Sequence, residues 1–330
     1  MRLISNFFTL LSPFVSSTIN TPSIHGMVFD LRILGDYGVG FPVRGLHDAT
    51  EDTRYVQVDM WGRESTYHGI DLPDTFNIVN ITGGLIPVNF SRSLHHSNEP
   101  EIIRLLGGDN YGSISVLNTI VGSSVRYSSL FISWSPRSTP DSMMLQMLVN
   151  PGENVVDQYC REGPILYAPL SLNNHSLRFM AQASLVDPGS CLDDESNIIP
   201  GSVSEPHHYT VSFGSDIGVP ESVLDVFERE IEASINMTWS AFERHPECGT
   251  MIDRLPTIRL TILDELGYTA LVNVHIEPSE YVVVYPSNPV QCRIKVSSLP
   301  GAQLLGRPIF KNVGVVIDYA QQRIGFCDTI

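Results

Sequence analysis

Short runs rich in Val, Ile, Leu, Tyr and Thr recur along the chain between Gly, Pro, Asn and Asp, a pattern that predicts strands. The clearest are Met27–Leu34, 55–60, 130–134, 258–263, 281–285 and Val313–Asp318. Helical periodicity is sparse. It is best over 221–234, where Pro220 precedes the run and Val223, Leu224, Phe227 and Ile231 fall on one face. A shorter candidate helix covers 115–120. Many short strands with few short helices predict an all-β architecture. The polar stretch 187–206 reads as a mobile surface segment.

A repeat lies within this pattern. In the first half an apolar strand ends in Leu34-Gly35-Asp36-Tyr37-Gly38, and Ile102-Ile103-Arg104-Leu105-Leu106-Gly107 follows later. In the second half Tyr209-Thr210-Val211-Ser212-Phe213-Gly214 is followed by Gln303-Leu304-Leu305-Gly306. Each half thus has a strand entering a polar-aromatic-Gly turn and, later, an apolar-apolar-Gly element. Glycine at such points permits tight turns and close backbone approach.

The closing segment, LLGRPIFKNVGVVIDYAQQRIGF over 304–326, resembles the end of pepsin-like aspartic peptidases. That family writes Leu-Leu-Gly, a Phe-x-x-x-x-Val-Val-x-Asp strand and an Arg-Ile-Gly-Phe strand in this order. Upstream, Leu255-Pro256-Thr257-Ile258 and Glu277-Pro278-Ser279-Glu280-Tyr281 are similar to two further landmarks of the family's second lobe. The resemblance implies a bilobal pepsin-like fold, with an N-terminal lobe and flap over 20–170 and a C-terminal lobe over 171–330. It also implies a disulfide between Cys248 and Cys292. In the first half, Asp36-Tyr37-Gly38 resembles the first Asp-Thr-Gly turn. Trp61-Gly62 resembles the flap hairpin, with Trp61 in the usual tyrosine position.

The family's chemistry needs two carboxyls sharing one proton across a water, because like charges so close cannot both ionise. The resemblance puts the first at Asp36 and the second at Ser212, whose hydroxyl cannot take half of a shared-proton pair. Tyr37 and Phe213 replace the small hydroxyl residue of each turn. Val39 stands where a serine supports the first carboxylate, whereas Ser215 keeps the matching hydroxyl after Gly214. Asp30 and Asp216 are rival carboxylates; a strand residue and a polar turn residue are the plainer readings. The expected protein is an aspartic endopeptidase by family whose catalysis is lost or impaired, binding extended polypeptide in its cleft as a monomer. The alternatives are an active peptidase with an altered site, or a structural or inhibitory protein that uses the fold without its cleft.

Composition narrows the setting. The 330 residues are 42% hydrophobic, enough for a large core, and 36 acidic against 20 basic residues give a formal charge of −16. Such a surface repels phosphate backbones, so no nucleic acid is expected. Residues 1–19 fit a secretory signal peptide, and no other stretch reaches the length of a membrane span. Sequons at Asn80, Asn89, Asn174 and Asn236 agree with a secreted or endomembrane-lumenal protein. The pairing of Cys160, Cys191 and Cys327 stays open. No C-x-x-C pair signals a zinc site. His95-His96 and His207-His208 read as loop or alternating strand residues, not metal ligands, and Gly107-Gly108-Asp109 lacks the Lys-Ser/Thr of a phosphate loop. No metal and no cofactor is expected.

Overall fold

The structure, a computed structural model, describes residues 27–34, 38–44, 54–59, 75–89, 103–104, 129–139, 143–149, 156, 158–161, 165–173, 176–190, 194–285, 289–298, 303–318 and 321–329. The candidate helix at 115–120 lies outside them. Strands dominate, as the apolar alternation predicts, and each strand predicted above lies within two residues of an observed one. The helix expected at 221–234 is α1, Glu221–Ile235. It buries Val223, Val226, Phe227, Ile231 and Ile235 at helical spacing and ends where Asn236 turns left-handed at φ 55°.

Two large sheets carry the fold. The first has eleven strands among the described residues. Its main path runs Leu85–Asn89, Thr75–Val79, Gly38–Arg44, Met27–Leu34, Met144–Val149, Ser129–Trp134, Val313–Asp318, Arg323–Asp328 and Leu166–Pro169. Arg54–Asp59 adds onto Gly38–Arg44, and Ile103–Arg104 pairs with it in parallel. The chain's last two strands therefore return to the sheet built by the first half. Val313–Asp318 is flanked on both sides and buried along its whole length, which is why it reads as an unbroken apolar run. The hairpin closes where Asp318 faces Arg323, whose Nε donates to Asp318 Oδ2 at 2.9 Å while its guanidinium covers the Tyr167 ring.

The second sheet runs Ala270–Ile276, Thr257–Leu263, Ser176–Val186, His207–Val211, Gln303–Leu305, Ile217–Gly218 and Val296–Ser297, with Ser171–Asn173 on Ser176–Val186. One contiguous core joins the two sheets and α1. Phe227 of α1 packs edge-on against Trp239 and Tyr281, with centroids 5.6 and 5.5 Å away. Trp239 begins α2, Trp239–Glu243, and Tyr281 ends α3, Pro278–Tyr281. A small hairpin, Val282–Tyr285 with Gln291–Ile294, follows α3. Among the described residues no helix is long and apolar enough to cross a membrane.

Two expectations need correction. The strand predicted at 281–285 starts one residue later, because Pro278 at the first helical position and the reciprocal Glu277 and Glu280 bonds nucleate a helical turn first. The segment 187–206 is no loose surface stretch in its described part. Beyond Ala181 the strand Ser176–Val186 loses its partner on one side, and this segment replaces it. Val186 bridges Ile198, and the amides of Ala183 and Leu185 donate to the hydroxyls of Ser204 and Ser202, each at 3.0 Å. Both serines are buried because they complete a sheet edge.

Two disulfides close the described framework. Cys248 pairs with Cys292, as the resemblance implies, and Cys160 pairs with Cys327. Cys191 lies outside the described residues.

Candidate functional site

The second-half turn is built by three strand ends meeting. His207–Val211 lies parallel to Gln303–Leu305, with Val211 opposite Leu305, and delivers Ser212 just beyond the ladder. Ser212 N donates to Leu305 O at 2.9 Å, and Arg307 N donates to Gly214 O at 2.8 Å, so the turn is clasped on both flanks. Gly306 makes the clasp possible. A Cβ there would lie 2.2 Å from Asp216 O and 2.7 Å from Gly214 O. The apolar-apolar-Gly element of the second half is therefore a close backbone crossing over the turn.

Ser212 is half-buried, and its Oγ accepts the Gly214 amide at 3.0 Å. This is a local turn bond that uses one acceptor site of the hydroxyl. Phe213 does not line an open cleft: it is 1% exposed and its ring packs against Phe310 at 6.4 Å. Ser215 Oγ donates to Asp216 Oδ1 at 2.6 Å, so Asp216 is a partner of its neighbour at the start of the Ile217–Gly218 strand. Asp30 accepts from Ser135 Oγ at 2.9 Å and pairs with Arg137 at 3.4 Å, a strand-to-turn tie.

The first half is less symmetrical with the second than its sequence pattern. Asp36, Tyr37, Trp61 and Gly62 lie outside the described residues. The strands on either side of Asp36, Met27–Leu34 and Gly38–Arg44, are antiparallel partners with Leu34 opposite Gly38. Val39 is fully buried within that pair. Among the described residues, the first-half strand with a parallel partner, as His207–Val211 has, is Arg54–Asp59. Its partner is Ile103–Arg104, with Asp59 opposite Arg104. A local polar-aromatic-Gly pattern marks a turn but carries no information about which strand acquires a parallel neighbour.

The two second-half landmarks of the sequence meet in space. Tyr281 is fully buried, and its hydroxyl donates to Pro256 O at 2.6 Å. Burial holds its pKa well above the ordinary tyrosine range. Next to the turn, Arg307 and Ser215 line a cavity of about 400 Å³ that also takes in Glu280 and Lys311. It was not legible from local pattern, because Glu280 and the Arg307–Lys311 turn come together only in the folded chain.

Of the sequons, Asn236 is exposed at the end of α1. Asn80 instead uses its Oδ1 to accept from Thr82 N, Thr82 Oγ1 and Gly84 N, holding the turn between Thr75–Val79 and Leu85–Asn89. Asn89 ends its strand, and Asn174 lies outside the described residues. Among the described residues no three His, Cys, Asp or Glu side chains gather as a metal site. His207 and His208 alternate between a half-buried and an exposed position on one strand. No family model matches the chain, and no curated protein matches it.

Proposed function

We propose that the chain is a bilobal, pepsin-like protein retired from peptide hydrolysis, working as a secreted or lumenal monomer that holds an extended polypeptide by strand-like backbone bonds. The observation that carries this reading is Ser212. It sits where the second half's strand ends against its parallel neighbour, and its hydroxyl is engaged by the Gly214 amide. A serine there supplies no second carboxyl, and losing a positioned acid–base group typically costs about 10²–10⁴-fold. The disulfides support an oxidising compartment.

The parallel pairing of Arg54–Asp59 makes Asp59 a second first-half candidate beside Asp36. The loss of catalysis is unaffected, since one carboxylate without its partner cannot share a proton.

The test incubates the purified full chain with denatured protein substrates across acid pH, with and without a statine-type transition-state mimic. The expected result is no cleavage and no thermal shift with the mimic, alongside saturable binding of an extended peptide. Cleavage abolished by Asp59→Asn or Asp36→Asn would show an active peptidase instead. Catalytic silence without peptide binding would favour a structural role.

A further inference from the structure

The cavity beside the Ser212 turn lies between the first sheet and the elements around α3. Ile33, Trp134 and Met143 come from one side, and Val282–Tyr285, Arg307 and Lys311 from the other. Its volume of about 400 Å³ falls in the range of small-molecule sites. The floor is charged and the rim apolar. Glu280 is 1% exposed, Lys295 2% and Arg307 7%, whereas Met143, Val284 and Tyr285 at the mouth are exposed. Three cationic side chains thus converge on one cavity in a chain of net charge −16.

Glu280 makes the floor unusual. Its Oε2 accepts the Glu277 amide, but Oε1 has no hydrogen-bond partner among the described residues. Burial is the main force lifting its pKa, to about 8. The Glu277 carboxylate adds to the rise, while the Glu277 amide, Lys311 and the Asn312 side chain oppose it. At neutral pH the carboxyl is therefore protonated and offers an O–H donor. Lys311 Nζ reaches Ser279 O at 2.8 Å, at the same end of the cavity. A buried, unsatisfied acid beside cations is costly unless something accepts from it.

We propose that this cavity binds a small organic carboxylate carrying an apolar group. Its carboxylate lies among Lys295, Arg307, Lys311 and the Glu280 carboxyl, and its apolar part lies against Trp134 and Val284. The site is independent of the catalytic reading above, because no reacting group of that reading belongs to it. The carboxylate comes either from a free acid or from the C-terminus of a peptide.

The experiment titrates the full, disulfide-intact chain with 4-phenylbutyrate by calorimetry, using 4-phenylbutyramide as neutral isostere. Acetyl-Gly-Phe with a free carboxylate, and its amide, form the peptide arm. Saturable one-to-one binding of at least one acid is expected, with its amide weaker by about tenfold or more, ~1.4 kcal/mol. Whichever acid binds more tightly identifies the source. Lys311→Met should weaken binding similarly. Should that variant fail to fold, Val284→Trp fills the exposed mouth and should block binding with the fold intact. Raising the pH above about 8 should weaken binding as Glu280 ionises, and Glu280→Gln should remove that pH dependence. The proposal is overturned if neither acid binds at millimolar concentration, if the amides bind equally, if inorganic phosphate binds as well as the acids, or if Val284→Trp leaves binding unchanged.

Discussion

Gly306 crosses Asp216 so closely that a Cβ built on the glycine would lie 2.2 Å from the Asp216 carbonyl oxygen. The neighbour is backbone, held in turn by the Ile217 ladder, so it cannot swing aside as a flexible side chain would. Gly306→Ala should therefore cost at least the ~1–3 kcal/mol of an overpacked core. Urea unfolding reads this as a lower midpoint, and an unchanged midpoint would mean that the backbone yields at the crossing.

Tyr281→Phe tests the tie between the two second-half landmarks. The ring stays packed on Phe227, but the buried Pro256 carbonyl loses its donor from the hydroxyl. Leaving such an acceptor unsatisfied costs about 1–3 kcal/mol. Chemical denaturation should show a loss in that range, and a neutral result would mean that water replaces the hydroxyl.

Sequence reasoning saw what is local and periodic. Residues 221–234 announced α1 because their apolar positions repeat at helical spacing, and Val313–Asp318 announced a buried strand by its unbroken apolar run. It could not see what depends on distant partners. Ser202 and Ser204 look like loop serines until a strand end 17 to 21 residues away needs acceptors. Cys160 finds Cys327 across 167 residues, a pairing that no spacing rule selects. The parallel pairing of Arg54–Asp59 with Ile103–Arg104 likewise joins segments whose local pattern carries no mark of each other. Glu280 read as part of a strand-entry landmark, and only the packing around it makes it a buried acid.

That acid makes stability depend on pH in a definite direction. The folded pKa of Glu280 is about 8, raised chiefly by burial, against an ordinary value of 4.5. Between those two values the folded protein keeps a proton that the unfolded chain has released. Stability is therefore fully present below about pH 4.5 and falls as pH rises toward about 8. Each pH unit between the two pKa values corresponds to about 1.4 kcal/mol, so the total reaches a few kcal/mol. Thermal unfolding followed from pH 5 to 8 should show a declining midpoint, and Glu280→Gln should flatten the decline. A slope that persists in the glutamine variant would assign the titration to another group.

Ser212→Ala separates a structural hydroxyl from a chemical one. The Oγ accepts the Gly214 amide at 3.0 Å, within a turn whose other bonds are made by backbone. Removing it leaves those backbone bonds and the buried Phe213 ring in place, so the loss should be that of one neutral hydrogen bond, about 0.5–1.5 kcal/mol. The half-buried position allows water to take over part of the bond, which favours the lower end. Peptide binding should be unchanged, because the proposed grip on the peptide is made by strand-like backbone bonds and not by this side chain. Denaturation and peptide titration on the same variant read both quantities. A large loss of peptide affinity at nearly unchanged stability would mean that the Ser212 hydroxyl leaves the Gly214 amide to contact the bound chain directly.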